Sequence, residues 1–122
     1  MKILFVYGSL MKDRSRSKYM KNAEYIGKAT VKGFAIYDLV FFPGIRPKMG
    51  KTVAGEVYAV NDEDFRKICR LEGEGILYSA KEVKVFMDKG EVLKAVVFIY
   101  DDNCEKYAQE LDGSALWKEP NC

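Results

Sequence analysis

Most of the apolar residues in this sequence fall in β-favouring segments, and that distribution limits the possible folds more than any other feature. A continuous apolar run at the start of the chain predicts a buried strand, and alternating apolar and polar residues predict another near the middle. Two long strand patterns near the end are joined by Asp88-Lys89-Gly90, which is typical of a β-hairpin turn. The predicted strands cover residues 2–7, 52–60, 77–87 and 92–100.

The segment between the first two of these strands is less regular. Apolar and polar residues partly alternate from residue 25 to 39, and Gly27 and Gly33 interrupt the pattern. We predict two short strands and a turn, with the glycines as bends or bulges.

The basic stretch 44–52 resembles a phosphate-binding loop, but five residues separate its glycines where that motif has four, and Pro47 lacks an N–H. We therefore predict a mobile loop there, which could cover a pocket mouth.

Only one segment has a strong helical pattern, and it lies between predicted strands. Asn61 is a good N-cap, and the acidic residues 62–64 favour the positive end of the helix dipole. Gly73 provides a stop, so a helix is predicted over residues 62–72. A short second helix is predicted at residues 15–22. The fold class is therefore α+β, a small mixed and strongly bent β-sheet or barrel with one main helix and a short second helix.

A chain of 122 residues is long enough to bury a core without disulfide or metal staples. No repeat or linker composition interrupts it, which predicts a single domain over residues 1–122. In this prediction residues 101–122 form a polar C-terminal tail. Tyr107, Leu111 and Trp117 are its candidate anchors if it packs back on the domain, and otherwise it frays.

Charge and cysteine content argue against several classes of protein. The 20 Lys and Arg residues nearly balance the 18 Asp and Glu residues, so neither nucleic acid nor an anionic membrane is an expected partner. The aromatic strands could form a single-stranded nucleic-acid platform, but no RNP-like motif accompanies them. The N-terminal apolar run is too short for a signal peptide or a membrane span. Cys69, Cys104 and Cys122 are widely spaced and odd in number, which suits free thiols, and we expect a cytoplasmic protein.

The sequence contains no histidine, which removes much of the common chemistry of enzymes. Ser-His-Asp and Cys-His nucleophile pairs, His-based zinc sites and proton transfer by imidazole are all excluded. Proton transfer must then use a carboxylate, lysine, tyrosine or cysteine side chain. No metal site is predicted.

The predicted helix ends on a carboxylate, Glu72. Its apolar face carries Phe65, Ile68 and Cys69, and one more helical step reaches Glu72. Partial burial and a place in the last helical turn should both raise the pKa of this carboxyl, which suits a proton shuttle. Helical geometry alone leaves open that Glu72 points outward at a frayed helix end, or that it pairs with Lys81.

The first predicted strand runs directly into a tight glycine turn, Tyr7-Gly8-Ser9-Leu10. Consecutive backbone N–H groups in such a turn can form an anion-binding nest. Taken alone this motif is weak evidence, because a strand that ends in Gly-Ser is usually only a turn. Its weight comes from the motifs that follow it along the chain.

Four short motifs occur in a fixed order over most of the sequence, and the first and last are the most specific. They are Tyr7-Gly8-Ser9-Leu10, then Phe42-Pro43-Gly44-Ile45, then Gly55-Glu56-Val57-Tyr58, and finally Leu71-Glu72-Gly73 followed by Tyr78. Together they resemble the γ-glutamylcyclotransferase-like family, which includes the γ-glutamylamine cyclotransferases and related bacterial, archaeal and plant proteins.

The resemblance implies a function as well as a fold. It implies that the turn from Tyr7 to Leu10 binds the α-carboxylate and α-amine end of a γ-glutamyl group, and that Glu72 is the acid/base. The implied reaction is intramolecular: the substrate's α-amine attacks its own γ-carbonyl, closes 5-oxoproline and expels an amine or amino acid. Neither a cofactor nor an enzyme nucleophile is needed. Tyr7 and Tyr78 are candidates for lining the pocket, or are core aromatics with bonded hydroxyls.

One departure from the family's pattern leaves an alternative open. Many relatives carry an arginine two residues after the equivalent of Tyr78, where this chain has Ala80, and Glu74 is also unusual. The alternative hypothesis is a non-catalytic barrel that binds a glutamyl ligand without turning it over. An interaction module is a third, which no motif favours. The expected partner is a small γ-glutamyl molecule, and the expected state is a monomer or weak homodimer.

Overall fold

The computed structural model describes residues 1–73 and 77–120. The strands are β1 (Lys2–Val6), β2 (Glu24–Asp38), β3 (Pro43–Val60), β4 (Tyr78–Met87), β5 (Val92–Tyr100) and β6 (Gln109–Glu110). The helix α1 spans Asp62–Leu71, and short 3₁₀ helices lie at Ser17–Met20 and Cys104–Lys106. Within these residues no helix has the length and apolar character that crossing a membrane requires.

Five of the strands form a closed ring. Their order is β3-β1-β5-β4-β2, and β2 pairs back with β3, while β6 is added to β2 outside the ring. The pairing of β1 with β5 is parallel, at Leu4 and Val96, and the other described pairings are antiparallel. Closure leaves the ring without an unpaired edge. The prediction of a mixed, strongly bent barrel with one main helix is confirmed.

The helix α1 forms where the sequence predicts it. The Asn61 Oδ1 accepts a hydrogen bond from the Asp64 N–H at 2.7 Å, which caps the first turn. Gly73, with φ of +64°, adopts the left-handed conformation that ends a helix. Ile68 is fully buried. The Phe65 ring stacks on the ring of Phe98 in β5, with 6.4 Å between the ring centroids. These contacts fix the helix against the barrel.

The strand β2 differs from the prediction of two short strands. Residues 24–38 form one strand, because β2 stays paired with β3 across both of its interior glycines. The register shifts between Tyr25 and Gly27 and again between Lys32 and Phe34, next to Gly33. The two glycines therefore mark bulges, as predicted.

The segment 44–52 also differs from the prediction. It is part of β3, so the expectation of a mobile loop is wrong. Arg46 and Pro47 lie opposite Ala35 and Phe34 of β2. The proline is accommodated because it sits beside the bulge at Gly33, where the regular ladder is already interrupted.

The polar C-terminal segment packs back on the barrel. The two residues of β6 pair with Tyr37 and Asp38 at the end of β2. Trp117 is only 7% exposed, and Leu111 packs against the main core, so both act as anchors. Tyr107 is 65% exposed and does not anchor the segment, because its hydroxyl instead donates to the nearby Asp102 carboxylate at 2.7 Å.

We expect Gly55→Ala to destabilise the barrel. A Cβ at Gly55 would overlap the Val6 carbonyl oxygen and lie 2.5 Å from Cζ of Phe5, and both residues belong to β1, which is paired on both sides. Forcing a methyl group into such a site costs about 1–3 kcal/mol, which urea denaturation will measure as a lower free energy of unfolding. Thr52→Ala, at an exposed position of β3, should change that free energy by less than about 0.5 kcal/mol. Equal effects of the two substitutions would contradict the packing argument.

Candidate active site

A pocket of about 100 Å³ opens where four segments of the chain meet. These are the end of β1 with the turn after it, the start of β3, the end of α1 and the start of β4, and Arg16 and Phe98 of β5 complete the lining. All six residues that the sequence singled out for the site line this pocket, namely Tyr7, Gly8, Ser9, Leu10, Glu72 and Tyr78. The fold thus brings together residues that are up to 71 positions apart, the separation of Tyr7 and Tyr78.

The turn after β1 presents unused hydrogen-bond donors. The Met11 N–H donates to the Gly8 carbonyl at 3.1 Å, and the Arg16 N–H donates to the Ser9 carbonyl at 2.9 Å, so the turn is held by its carbonyls. Within the described residues, the N–H groups of Gly8, Ser9 and Leu10 donate to no acceptor. Three consecutive free N–H groups at a pocket wall are the arrangement of an anion-binding nest.

A buried carboxylate fixes this turn from outside the pocket. Glu56 on β3 is 5% exposed, and its Oε1 accepts hydrogen bonds from the Lys12 N–H at 2.8 Å and from the Tyr58 hydroxyl at 3.0 Å. Charge-assisted bonds of this kind compensate the burial of the carboxylate. The sequence motif around Glu56 gives no sign of this role, because the partner of Glu56 is a backbone N–H 44 residues away. Glu56 therefore positions the end of the turn.

Glu72 lies at the C-terminal end of α1, half-buried in the pocket wall. Its N–H continues the helix by donating to the Ile68 carbonyl at 2.9 Å. Burial raises the pKa of the Glu72 carboxyl, and the positive charge of Arg16 partly opposes that rise. In the described part of the chain Glu72 forms no ion pair with Lys81 or any other cation. The pocket thus contains a carboxyl that holds its proton more readily than an ordinary glutamate does.

Tyr7 and Tyr78 form walls of the pocket with their hydroxyls already engaged. The Tyr7 hydroxyl donates to the Phe98 carbonyl at 2.6 Å, and the Tyr78 hydroxyl donates to the Pro43 carbonyl at 2.9 Å. Burial is the main cause that raises the pKa of both phenols. Both are therefore neutral donors at ordinary pH, and their rings form walls of the pocket.

Arg16 also lines the pocket, although no motif in the sequence singles it out. It lies within the short helix predicted at residues 15–22, which carries no site motif, so only the fold shows that it returns to the turn after β1. Ala80, where the family resemblance implies an arginine, is half-buried on β4 and is not part of the pocket lining. Glu74 and Cys122 lie outside the described residues.

Together these groups can hold an anion and move a proton. The free N–H groups favour a carboxylate or an oxyanion, and Glu72 supplies a carboxyl of raised pKa beside them. The walls are mainly apolar and aromatic, which keeps the local dielectric low and strengthens both effects.

A family model, curated relatives and solved structures all point to the same protein family. The family described as "Gamma-glutamyl cyclotransferase, AIG2-like" matches residues 4–119. A Methanocaldococcus jannaschii protein, provisionally named as a gamma-glutamylcyclotransferase, is 32% identical over 106 residues, which cover 85% of this chain and 88% of that protein. The gamma-glutamylcyclotransferase family protein YtfP of Escherichia coli K12 is 32% identical over 66% of this chain and 71% of its own length. The crystal structure of a mouse AIG2-like protein matches the fold with a TM-score of 0.81 at 21% identity, over 93% of this chain and 87% of that one.

Removal of the Glu56 carboxylate should loosen the turn after β1. In Glu56→Ala the Lys12 N–H and the Tyr58 hydroxyl lose their acceptor, and a lost hydrogen bond to a buried charged group costs about 1–3 kcal/mol. Amide hydrogen exchange at Lys12, followed by NMR, should become faster. Glu56→Gln retains an acceptor oxygen and should preserve part of the protection. Unchanged exchange in Glu56→Ala would refute the positioning role.

The raised pKa of Glu72 predicts a stability that falls as pH rises. The folded protein binds the Glu72 proton more tightly than the unfolded chain does, so ionisation favours unfolding. Stability is lost between the ordinary glutamate pKa of 4.5 and the raised pKa of the folded state. Glu72→Gln removes this loss, and urea denaturation should show it to be more stable than the parent above that window.

The comparison has an internal control. Below pH 4.5 the parent carboxyl is protonated in both states, so the advantage of Glu72→Gln should shrink there. Glu63→Gln, at an exposed position of α1, should show no such pH-dependent gain. If Glu72→Gln were less stable than the parent at neutral pH, the assigned direction of the pKa would be wrong.

Proposed function

The chain belongs to the gamma-glutamyl cyclotransferase, AIG2-like family, and on this basis we propose that it is a cyclotransferase that converts a γ-glutamyl amine or short γ-glutamyl peptide to 5-oxoproline. The free amine or amino acid is the second product. One observation carries the proposal. Glu72, a carboxyl of raised pKa, shares a single pocket with the free N–H groups of Gly8, Ser9 and Leu10.

In the proposed reaction Glu72 moves protons from the substrate's α-nitrogen to its leaving nitrogen. Its carboxylate takes a proton from the substrate's α-ammonium, and the freed amine attacks the γ-carbonyl carbon. A ring C–N bond forms, and the carbonyl oxygen becomes an oxyanion. The Glu72 carboxyl then gives its proton to the leaving nitrogen as the old C–N bond breaks. The regenerated carboxylate takes the second proton from the ring nitrogen and passes it to the released amine, which departs as an ammonium ion. One amide replaces another, so the balance requires neither water nor a redox partner.

The raised pKa suits Glu72 to this exchange. A carboxylate of ordinary pKa is a poor base towards an ammonium group. The difference between the two pKa values becomes smaller as the carboxyl pKa rises. Burial supplies the rise, while Arg16 limits it, so that the carboxyl can still ionise to begin the cycle. A positioned acid/base of this kind contributes about 10²–10⁴-fold to the rate.

The turn from Gly8 to Leu10 provides the second requirement, which is orientation. A γ-glutamyl chain must curl so that its amine reaches its own carbonyl, and most of its free conformations are extended. Binding the α-carboxylate on the nest, between the rings of Tyr7 and Tyr78, would hold the curled form. Holding two reacting groups together can replace several kcal/mol of activation free energy.

The competing hypothesis is a non-catalytic barrel that binds a glutamyl ligand. It is motivated by Ala80, where the resemblance to the family implies an arginine. The pocket argues against a loss of function by this route, because Ala80 does not line it and a different arginine, Arg16, does. The two hypotheses differ in whether the bound γ-glutamyl compound is converted to 5-oxoproline.

Incubation with a panel of γ-glutamyl amines and γ-glutamyl dipeptides tests the proposal, with 5-oxoproline quantified by mass spectrometry. The parent should release 5-oxoproline, and Glu72→Gln should lower kcat by about 10²–10⁴-fold because it cannot accept the proton. Glu63→Gln, an exposed carboxylate on the same helix, should retain full activity. Activity that survives in Glu72→Gln would refute its role. Binding of a γ-glutamyl compound without release of 5-oxoproline would favour the non-catalytic barrel.

A further inference from the structure

The pocket contains one guanidinium, that of Arg16, whose only part in the proposed mechanism is to limit the rise in the pKa of Glu72. Among the described residues that line it, Arg16 and Glu72 are the charged ones. The Arg16 guanidinium forms no ion pair and no hydrogen bond within the described part of the chain, although its charge reaches Glu72 and Tyr78. An unpaired guanidinium with five N–H donors at the wall of a pocket is a site for an anion.

The backbone of Arg16 is fixed even though its side chain is exposed. Its N–H donates to the Ser9 carbonyl at 2.9 Å, which ties residue 16 to the same turn that carries the free N–H groups. The exposure of Arg16 places its guanidinium at the solvent side of the pocket, whereas Leu10 and Tyr78 are buried. The pocket therefore offers two anion sites, the N–H nest of the turn and Arg16 at the rim.

We propose that Arg16 binds a carboxylate on the leaving group, so that γ-glutamyl amino acids and peptides are preferred over γ-glutamyl derivatives of simple amines. This inference rests on the proposed function. The glutamyl part must lie inside, where its amine and carbonyl reach Glu72, and the leaving part must lie towards solvent, where it departs. In a γ-glutamyl amino acid a carboxylate sits one carbon from the departing nitrogen, on the side that faces the rim.

The guanidinium suits that carboxylate for two reasons. Its planar fork matches the two oxygens of a carboxylate, which a lysine ammonium does not. Its charge also offsets the negative charge that a second carboxylate brings near Glu72. A leaving group without a carboxylate would leave Arg16 unpaired, and one with an added ammonium would be repelled.

A matched pair of substrates tests this assignment. γ-Glutamylalanine and γ-glutamylethylamine differ only in the carboxylate of the leaving group. The parent should prefer γ-glutamylalanine by about tenfold or more in kcat/KM, as expected for one charge-assisted pair at a partly exposed site. Arg16→Gln should lose most of this preference, chiefly through a higher KM for γ-glutamylalanine. Arg16→Lys should retain part of it.

Arg70→Gln is the control for overall charge. It removes the same charge from an exposed position in the last turn of α1 that is not part of the pocket lining, and it should keep the preference. If Arg16→Gln lowers kcat/KM equally for both substrates, Arg16 acts at the glutamyl end or through Glu72, and the inference fails. An equal rate for both substrates with the parent also overturns it.

A binding measurement separates this inference from the proposed function. The affinities of both compounds for the parent and for Arg16→Gln are measured by isothermal titration calorimetry, with no turnover required. If no 5-oxoproline is released, but γ-glutamylalanine binds more tightly and Arg16→Gln removes the difference, the proposed reaction fails and the Arg16 site stands. If neither compound binds and neither is converted, both are overturned.

Discussion

Closure of the barrel by β2 and β3 is the constraint on which the rest of the structure depends. Their pairing runs from Glu24 opposite Ala59 to Asp38 opposite Pro43, nearly the whole length of both strands. Because β3 also pairs with β1, closure fixes where β1 ends and where its following turn can go. The same closure brings the start of β3 beside that turn, where a Cβ on Gly8 would lie only 3.0 Å from Cγ of Pro43. The pocket exists because these strand ends meet.

Two neighbouring residues of β3 connect this architecture to the chemistry. Gly55 has no side chain, so β1 can approach β3 closely enough for Phe5 to fill the core. The next residue, Glu56, holds the Lys12 N–H and so ends the turn that carries the free donors. Neither residue lines the pocket. A sequence motif that looks like part of an active site thus acts through packing and through one long-range hydrogen bond.

The sequence could predict what local patterns determine. The strand β5 and the capped helix α1 were located almost to the residue, since alternation, an N-cap and a stop glycine are encoded locally. The sequence does not predict the continuity of β2, because only pairing across the barrel stabilises a strand with two interior glycines. It does not predict the strand at residues 44–52 either, because the exposed basic residues there favour a strand only once β2 pairs with them. Glu72 and the turn at residues 7–10 could be singled out by motif and helical phase. Arg16 could not, because its place in the pocket comes from the path of an irregular segment.

The electrostatics of the pocket also depend on contacts that the fold sets and local sequence does not. Burial at the end of α1 raises the pKa of Glu72, and Arg16, held by the turn after β1, opposes that rise. The acid/base strength of the carboxyl is therefore set by the relative positions of two elements that are not adjacent in the sequence. A carboxylate that binds at Arg16 would neutralise the opposing charge, so the pKa of Glu72 would rise further when such a substrate occupies the pocket. Substrate choice and proton transfer would then be coupled through one arginine, because the group that recognises the leaving carboxylate also tunes the base that starts the reaction.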